Sequence, residues 1–221
     1  TCGKVPSSIA ATAAAQNNVT KCGFYGDWAR PGVSPNVPPV YAHASTLPAG
    51  QVLNSFYTIA QVDAMAELGR VVGAWDKAAA YAAAAVIKRR EFDDFFWNAT
   101  LQTYAVPEHA DANFVQFYSA ISIALGCDGG KPIGNAVRQR AVVTSLLDAI
   151  DRQGGQHNVG LMGWTHLLAS LTCAGEHATA QRLIASTKYP SVGWMISDYG
   201  AGTTLYERWP GVLHAGAPPM T

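Results

Sequence analysis

Apolar residues return every three or four positions along most of this chain, which is the spacing of one helical face. Over 53–72 this pattern puts Phe56, Ile59, Ala60, Ala64, Leu68 and Val71 on one side, and Gly73 ends it. Asp76 stands where a cap belongs for a second helix, which carries Tyr81, Ala84, Ala85, Phe92 and Phe95 on to about Trp97. Four more helices are predicted, over about 113–125 with Gly126 as the stop, about 135–150, about 159–171 and about 174–186. Alternation of period two is almost absent, and no Asn-Gly pair marks a hairpin turn. The stretch 1–48 reads differently. Pro31, Gly32, Pro35, Pro38 and Pro39 break it up, so it is a loop-rich entry segment.

Helix, short link, helix is a pattern of antiparallel hairpins that cannot bury their apolar faces alone and must stack sideways. An open solenoid and a closed ring both satisfy it. No fixed repeat length is present, which disfavours a simple solenoid. The expected fold is therefore all-α, a closed ring of helical hairpins. Its links gather at one mouth, where long ordered loops are usually functional.

The chain has 221 residues, 49% of them hydrophobic, enough to supply one sizeable core. Fifteen basic residues balance fifteen acidic ones. With no basic stripe, nucleic acid and anionic membrane are excluded as expected partners. No apolar run approaches the roughly 20 residues of a membrane span. Thr1 opens the chain without a leader, which suggests a mature, cleaved or trimmed product. Four cysteines allow three pairings. Cys2 with Cys22 would close a short loop, and Cys127 with Cys173 would tie two helical hairpins; four buried thiols are the alternative. Asn18-Val19-Thr20 and Asn98-Ala99-Thr100 are glycosylation sequons. Sequons and an even cysteine count together point to a secreted, extracellular protein.

The densest chemistry lies over 189–211, where Trp194, Asp198, Tyr199, Tyr206, Glu207, Arg208 and Trp209 stand among four glycines. Sugars offer apolar C–H faces and many hydroxyls, so a sugar site needs flat aromatics and carboxylates. A desolvated carboxylate also gains a raised pKa, which suits acid or base work. The competing reading pairs Glu207 with Arg208 and puts the tryptophans in the core.

The run Thr203-Thr204-Leu205-Tyr206-Glu207-Arg208-Trp209 resembles the T-T-L-W-E-x-W motif of the α-L-rhamnosidase family of glycoside hydrolases. Tyr189-Pro190-Ser191 with Gly193 is similar to that family's Y-P-S-W-G segment, with Val192 in place of its Trp. Val159-Gly160-Leu161-Met162-Gly163 resembles its V-G-I-L-G helix start, and Gly26-Asp27-Trp28 its G-D-W segment. Asn54-Ser55-Phe56-Tyr57 stands at the aromatic-rich helix that follows G-D-W in the family. The resemblance runs in order along nearly the whole chain. It implies an (α/α)6 barrel, incomplete in this chain, with residues 1–221 a partial catalytic domain, and an inverting glycosidase that removes terminal α-L-rhamnosyl residues. Glu207 then takes the role of general base, activating the attacking water. Asp27, Trp28, Trp194, Tyr206, Trp209 and His214 are the expected substrate-binding residues.

Two parts of the family pattern are missing. The general-acid segment of D-C-P-x-R-x-E type, which precedes G-D-W, has no counterpart, nor does the N-H pair that follows the base. An inverting pair needs two carboxyl groups about 6.5–9.5 Å apart. This chain supplies one, unless Asp27 substitutes, so the rest of a parent polypeptide is an expected partner. His157, His166 and His214 lack metal-ligand spacing, and no metal or organic cofactor is expected. Glu108 and His109 read as a solvated loop. Rival functions are a polysaccharide lyase acting on uronate sugars on the same barrel, a non-catalytic carbohydrate-binding or structural glycoprotein, and a helical scaffold for protein partners.

Overall fold

A computed structural model describes residues 48–107, 114–127 and 130–197. Seven helices lie among them: α1 (Pro48–Val71), α2 (Trp75–Phe96), α3 (Val115–Ala124), α4 (Ala136–Arg152), α5 (Leu161–Cys173), α6 (His177–Ala185) and α7 (Val192–Ser197). The six helices expected from the apolar spacing are present, α7 is additional, and 1–47 lies outside the described residues.

Local chemistry sets several boundaries. Asn135 caps α4, its Oδ1 accepting from the backbone N–H groups of Val137 at 2.9 Å and Arg138 at 3.0 Å. Gly73 (φ 75°) and Gly175 (φ 83°) end α1 and α5 in the left-handed region. In both cases the next amide reaches five residues back, Ala74 N–H to Gly69 O and Glu176 N–H to Leu171 O, each at 2.8 Å. Asp76 is not the cap of α2. That position belongs to Ala74, which has no capping side chain, and Asp76 sits inside the first turn, where its charge favours the helix dipole.

The absence of strand signals is corrected by a small ribbon, β1 (Trp97–Asn98) pairing antiparallel with β2 (Thr103–Tyr104). Two-residue strands are too short to show a period of two, and tertiary contacts hold them. Thr103 and Ser119 share a hydrogen bond between hydroxyls at 2.8 Å, and Ser145 Oγ donates to Leu101 O at 2.8 Å. Tyr104 OH donates to Asp93 at 2.7 Å, while Arg138 pairs with the same carboxylate at 2.7 Å and lies 4.7 Å over the Trp97 ring. Burial and the Asp93 carboxylate together hold the Tyr104 hydroxyl protonated, far above the usual phenol range.

Helix α1 packs on α2, α3 on α4, α5 on α6 and α6 on α7, and α3 also packs on α1 and α5. This makes α1, α3 and α5 an inner row and α2, α4 and α6 an outer one. Burial agrees: α3 is buried around its whole circumference from Val115 to Ser122, as an inner helix must be. One core runs from Phe56 and Ile59 through Phe92, Phe117 and Ile121 to Leu146, Leu167, Leu171 and Leu183. Gly69 meets Ala78 so closely that an added Cβ would lie 3.0 Å from the Ala78 Cβ, so small residues let α1 and α2 touch. Buried Arg89 of α2 pairs with Asp63 of α1 and donates from Nε to Lys131 O at 2.7 Å, which fastens this hairpin to the link before α4.

The apolar face expected along α1 is covered only in its first half. Phe56 and Ile59 are buried, whereas Ala64, Leu68 and Val71 are exposed, with Met65, Val72 and Trp75 beside them. The reason is length. With 24 residues α1 runs about 36 Å, against about 15 Å for the 10 residues of α3, so its far turns extend past α3 and are met by α2 only on the side of Gly69. Among the described residues no helix is long and apolar enough to cross a membrane.

Candidate active site

The two ends of α3 and α5 are built differently. At one end Cys127 and Cys173 form a disulfide, with Cα atoms 5.8 Å apart, as one of the sequence pairings predicts. A cleft of about 240 Å³ lies beside it, lined by apolar residues including Ile123, Ile133 and Val142. At the other end the starts of α3, α5 and α7 meet the ends of α4 and α6, and buried polar groups collect there.

Gln116 is the centre of that polar end. Fully buried in the first turn of α3, it donates from Nε2 to Ala149 O at 3.1 Å and Gln156 O at 3.3 Å, and accepts from the Asn158 N–H at 3.0 Å. One side chain thereby ties the last turn of α4 at one point and the link from α4 to α5 at two. Gln156 Oε1 in turn accepts from Ser186 Oγ at 3.1 Å, which brings in the end of α6.

His157, within the clamped link, is 1% exposed and stacks 4.5 Å from Trp164 of α5. Burial pushes its imidazole down to about 3, with a Val159 backbone hydrogen bond opposing, so it is neutral at ordinary pH. His166, two residues on from Trp164, shares a 3.2 Å hydrogen bond between its Nε2 and Tyr57 OH, and Phe56 contacts the same ring edge-on at 4.8 Å. Burial lowers His166 and raises Tyr57, so both are uncharged. The pair joins α1 to α5 and presents neutral donors and acceptors of the kind that suit sugar hydroxyls.

The segment before α7 shows what its residue types do. Ser191 Oγ accepts from the Trp194 N–H at 3.0 Å, capping α7, and donates to Ser186 O. At Gly193 an added Cβ would lie 2.4 Å from Ser186 O, so only glycine fits. The Tyr189 and Trp194 rings meet edge to face at 5.0 Å. Trp194 is thus an aromatic surface on a helix fixed by Ser191 and Gly193, and the chain continues from this helix into 198–211.

Of the residues singled out from sequence, Trp194, Asn98, Cys127, Cys173, His157 and His166 are among those described. Glu207, Asp27, Trp28, Tyr206, Trp209, His214, Asn18, Cys2 and Cys22 lie outside the described residues, as do Glu108 and His109. Trp164 packs on His157. Gln116 and Tyr57 were not anticipated, and no short spacing could have revealed them, because their partners are 33 to 109 residues away. Among the described residues no cluster of three His, Cys, Asp or Glu side chains is placed to hold a metal ion.

Comparison with known proteins gives this architecture its relatives. The model of the bacterial alpha-L-rhamnosidase 6 hairpin glycosidase domain matches residues 8–221. The fold is similar to an alpha-L-rhamnosidase from Dictyoglumus thermophilum, with TM-score 0.67 and 21% identity over 92% of this chain and 20% of that one. A Streptomyces avermitilis alpha-L-rhamnosidase complexed with L-rhamnose gives TM-score 0.63 and 20% identity over 84% of this chain and 15% of that one. A native enzyme of the same kind from Aspergillus terreus gives 0.66 and 19% identity over 84% and 19%. This chain therefore spans a fifth or less of the length of these solved proteins. No curated protein matches it in sequence. With a family model covering all but its first few residues, and inner and outer helices paired as that family's hairpins require, the chain belongs to the bacterial α-L-rhamnosidase six-hairpin glycosidase family.

Proposed function

We propose that this chain carries the water-activating part of an inverting glycosidase site that removes terminal α-L-rhamnosyl residues. Glu207 is the general base, and Trp194, Tyr206 and Trp209 stack on the sugar, with Asp27, Trp28 and His214 contributing polar and aromatic contacts. The observation that carries this reading is the run Thr203-Thr204-Leu205-Tyr206-Glu207-Arg208-Trp209 in a chain of this family, a short way beyond the anchored helix α7. The base takes a proton from water as the oxygen attacks the anomeric carbon. A second carboxylic acid protonates the leaving oxygen from the opposite face of the sugar.

The acid comes from the rest of a parent polypeptide, in keeping with the small share of each solved protein that this chain spans. The exposed apolar stripe of Met65, Leu68, Val71 and Trp75 supports the same reading, since further hairpins of a ring bury such a face.

Hydrolysis of an aryl α-L-rhamnoside by the parent polypeptide tests the proposal. Glu207→Gln is expected to lower kcat by about 10²–10⁴-fold with the fold intact. Near-normal turnover in that variant, or a first-formed sugar with retained anomeric configuration, overturns it.

A further inference from the structure

We propose that Asn98 is an N-glycan attachment site, and hence that the chain matures in an oxidising secretory lumen. The reading stands apart from the catalytic one and rests on three observations. First, Asn98-Ala99-Thr100 is a sequon at the tip of the ribbon, where Ala99 and Thr100 are exposed. Secondly, the side-chain amide of Asn98 divides its work. Its Oδ1 accepts from the Thr100 N–H at 3.0 Å and the Leu101 N–H at 2.9 Å, holding the turn, while its Nδ2 makes no hydrogen bond among the described residues. A glycan on Nδ2 therefore disrupts no contact that holds the ribbon. Thirdly, Cys127 and Cys173 are joined in a disulfide, a bond that persists in oxidising compartments.

The ribbon supports a bulky attachment. Ser145 of α4 anchors it through Leu101 O, and Thr103 is buried against Ser119, so the tip is held on the outer row of helices. In the transfer step the Asn98 Nδ2 bonds to the anomeric carbon of an oligosaccharide carried on a lipid diphosphate. The bond from that carbon to the diphosphate oxygen breaks, Nδ2 loses one proton, and the lipid diphosphate leaves. No oxidant or reductant is consumed.

The test is secretion of the full chain from a eukaryotic host behind a cleavable leader, followed by peptide mass spectrometry before and after enzymatic deglycosylation. Most copies of the Asn98 peptide are expected to carry a glycan, and enzymatic removal of it should leave an aspartate where the asparagine stood. Thr100→Ala keeps both backbone hydrogen bonds of the turn, and Asn98→Asp keeps its accepting oxygen. Both are expected to lose the glycan while staying folded, with the Cys127–Cys173 bond oxidised. Unmodified Asn98 in secreted, disulfide-bonded protein overturns the proposal, as does a glycan on Asn18 alone or a chain retained with its thiols reduced. None of these readouts depends on rhamnoside turnover, so they are distinct from failure of the catalytic reading.

Discussion

One end of the α3–α5 core is closed by a covalent bond and tight turns; the other is closed by a buried glutamine, two neutral histidines and a capped short helix. At the disulfide end Gly126 and Gly175 turn the chain within a few residues, and Cys127 and Cys173 fix the helix ends together. At the polar end Gln116, Gln156, Ser186 and Ser191 satisfy one another or nearby backbone groups. The contrast shows where a fold gains specificity. A disulfide and a glycine turn each fix the chain at one point, whereas a buried hydrogen-bond network fixes the orientation of several groups at once. That second kind of order is what a site requires of its scaffold.

The largest effect expected from separating the two ends comes from the disulfide. Replacing Cys127 and Cys173 with serine frees a loop of sequence separation 46 and should cost about 4 kcal/mol in the chain-entropy account, or a drop of roughly 8–16 °C in Tm. Thermal unfolding measures it, and the acid sensitivity of the polar end should be unchanged in the variant.

Acid should act on the polar end. His157 binds its proton much more weakly when folded, at about 3, than when unfolded, at 6.5. Below 6.5 the unfolded state therefore takes up the proton first. The stability is fully present above that pH and is lost as pH falls toward about 3, at about 1.4 kcal/mol per unit and roughly 3 kcal/mol by pH 4. His166, lowered by burial as well, acts in the same direction. Urea unfolding across this window should show the slope, and His157→Leu should flatten it; an unchanged slope would place the acid sensitivity elsewhere.

Gln116→Leu keeps the size of the side chain and removes all three clamp bonds. It strands the Asn158 N–H and two carbonyls, with an expected loss of about 2 kcal/mol. Hydrogen exchange should quicken over 156–160 and stay slow around Cys127 and Cys173. The smallest effect, about 1 kcal/mol, is expected from Tyr57→Phe, which deletes the bond to His166 and leaves the ring contact with Phe56 in place. Equal exchange rates at both ends in the Gln116 variant would erase the distinction between them.

Much of the helical order was legible along the chain. The spacing of Phe56 and Ile59 and the Gly73 stop are local signals, each settled within a turn or two of helix, whereas Asp76 was misplaced as a cap by two residues. The helix α7 escaped notice because six residues are too few to show a period, and its cap, Ser191, stood unrecognised inside a family motif. The outer half of the α1 face misled for the opposite reason. Periodicity says which residues want burial, but not whether a neighbour reaches them, and Leu68 and Val71 are left exposed among the described residues.

Sequence by itself determined the six longer helices, the glycine turns that end them, the pairing partners open to the cysteines and the run around Glu207, because these depend on residues close in the chain. Only the tertiary structure decided that Gln116 clamps Asn158 across 42 positions, that Tyr57 meets His166 across 109, and that His157 is held neutral. Those outcomes arise when separate helices exclude water together. The exclusion is a property of the packed arrangement, and no segment of the chain carries it alone.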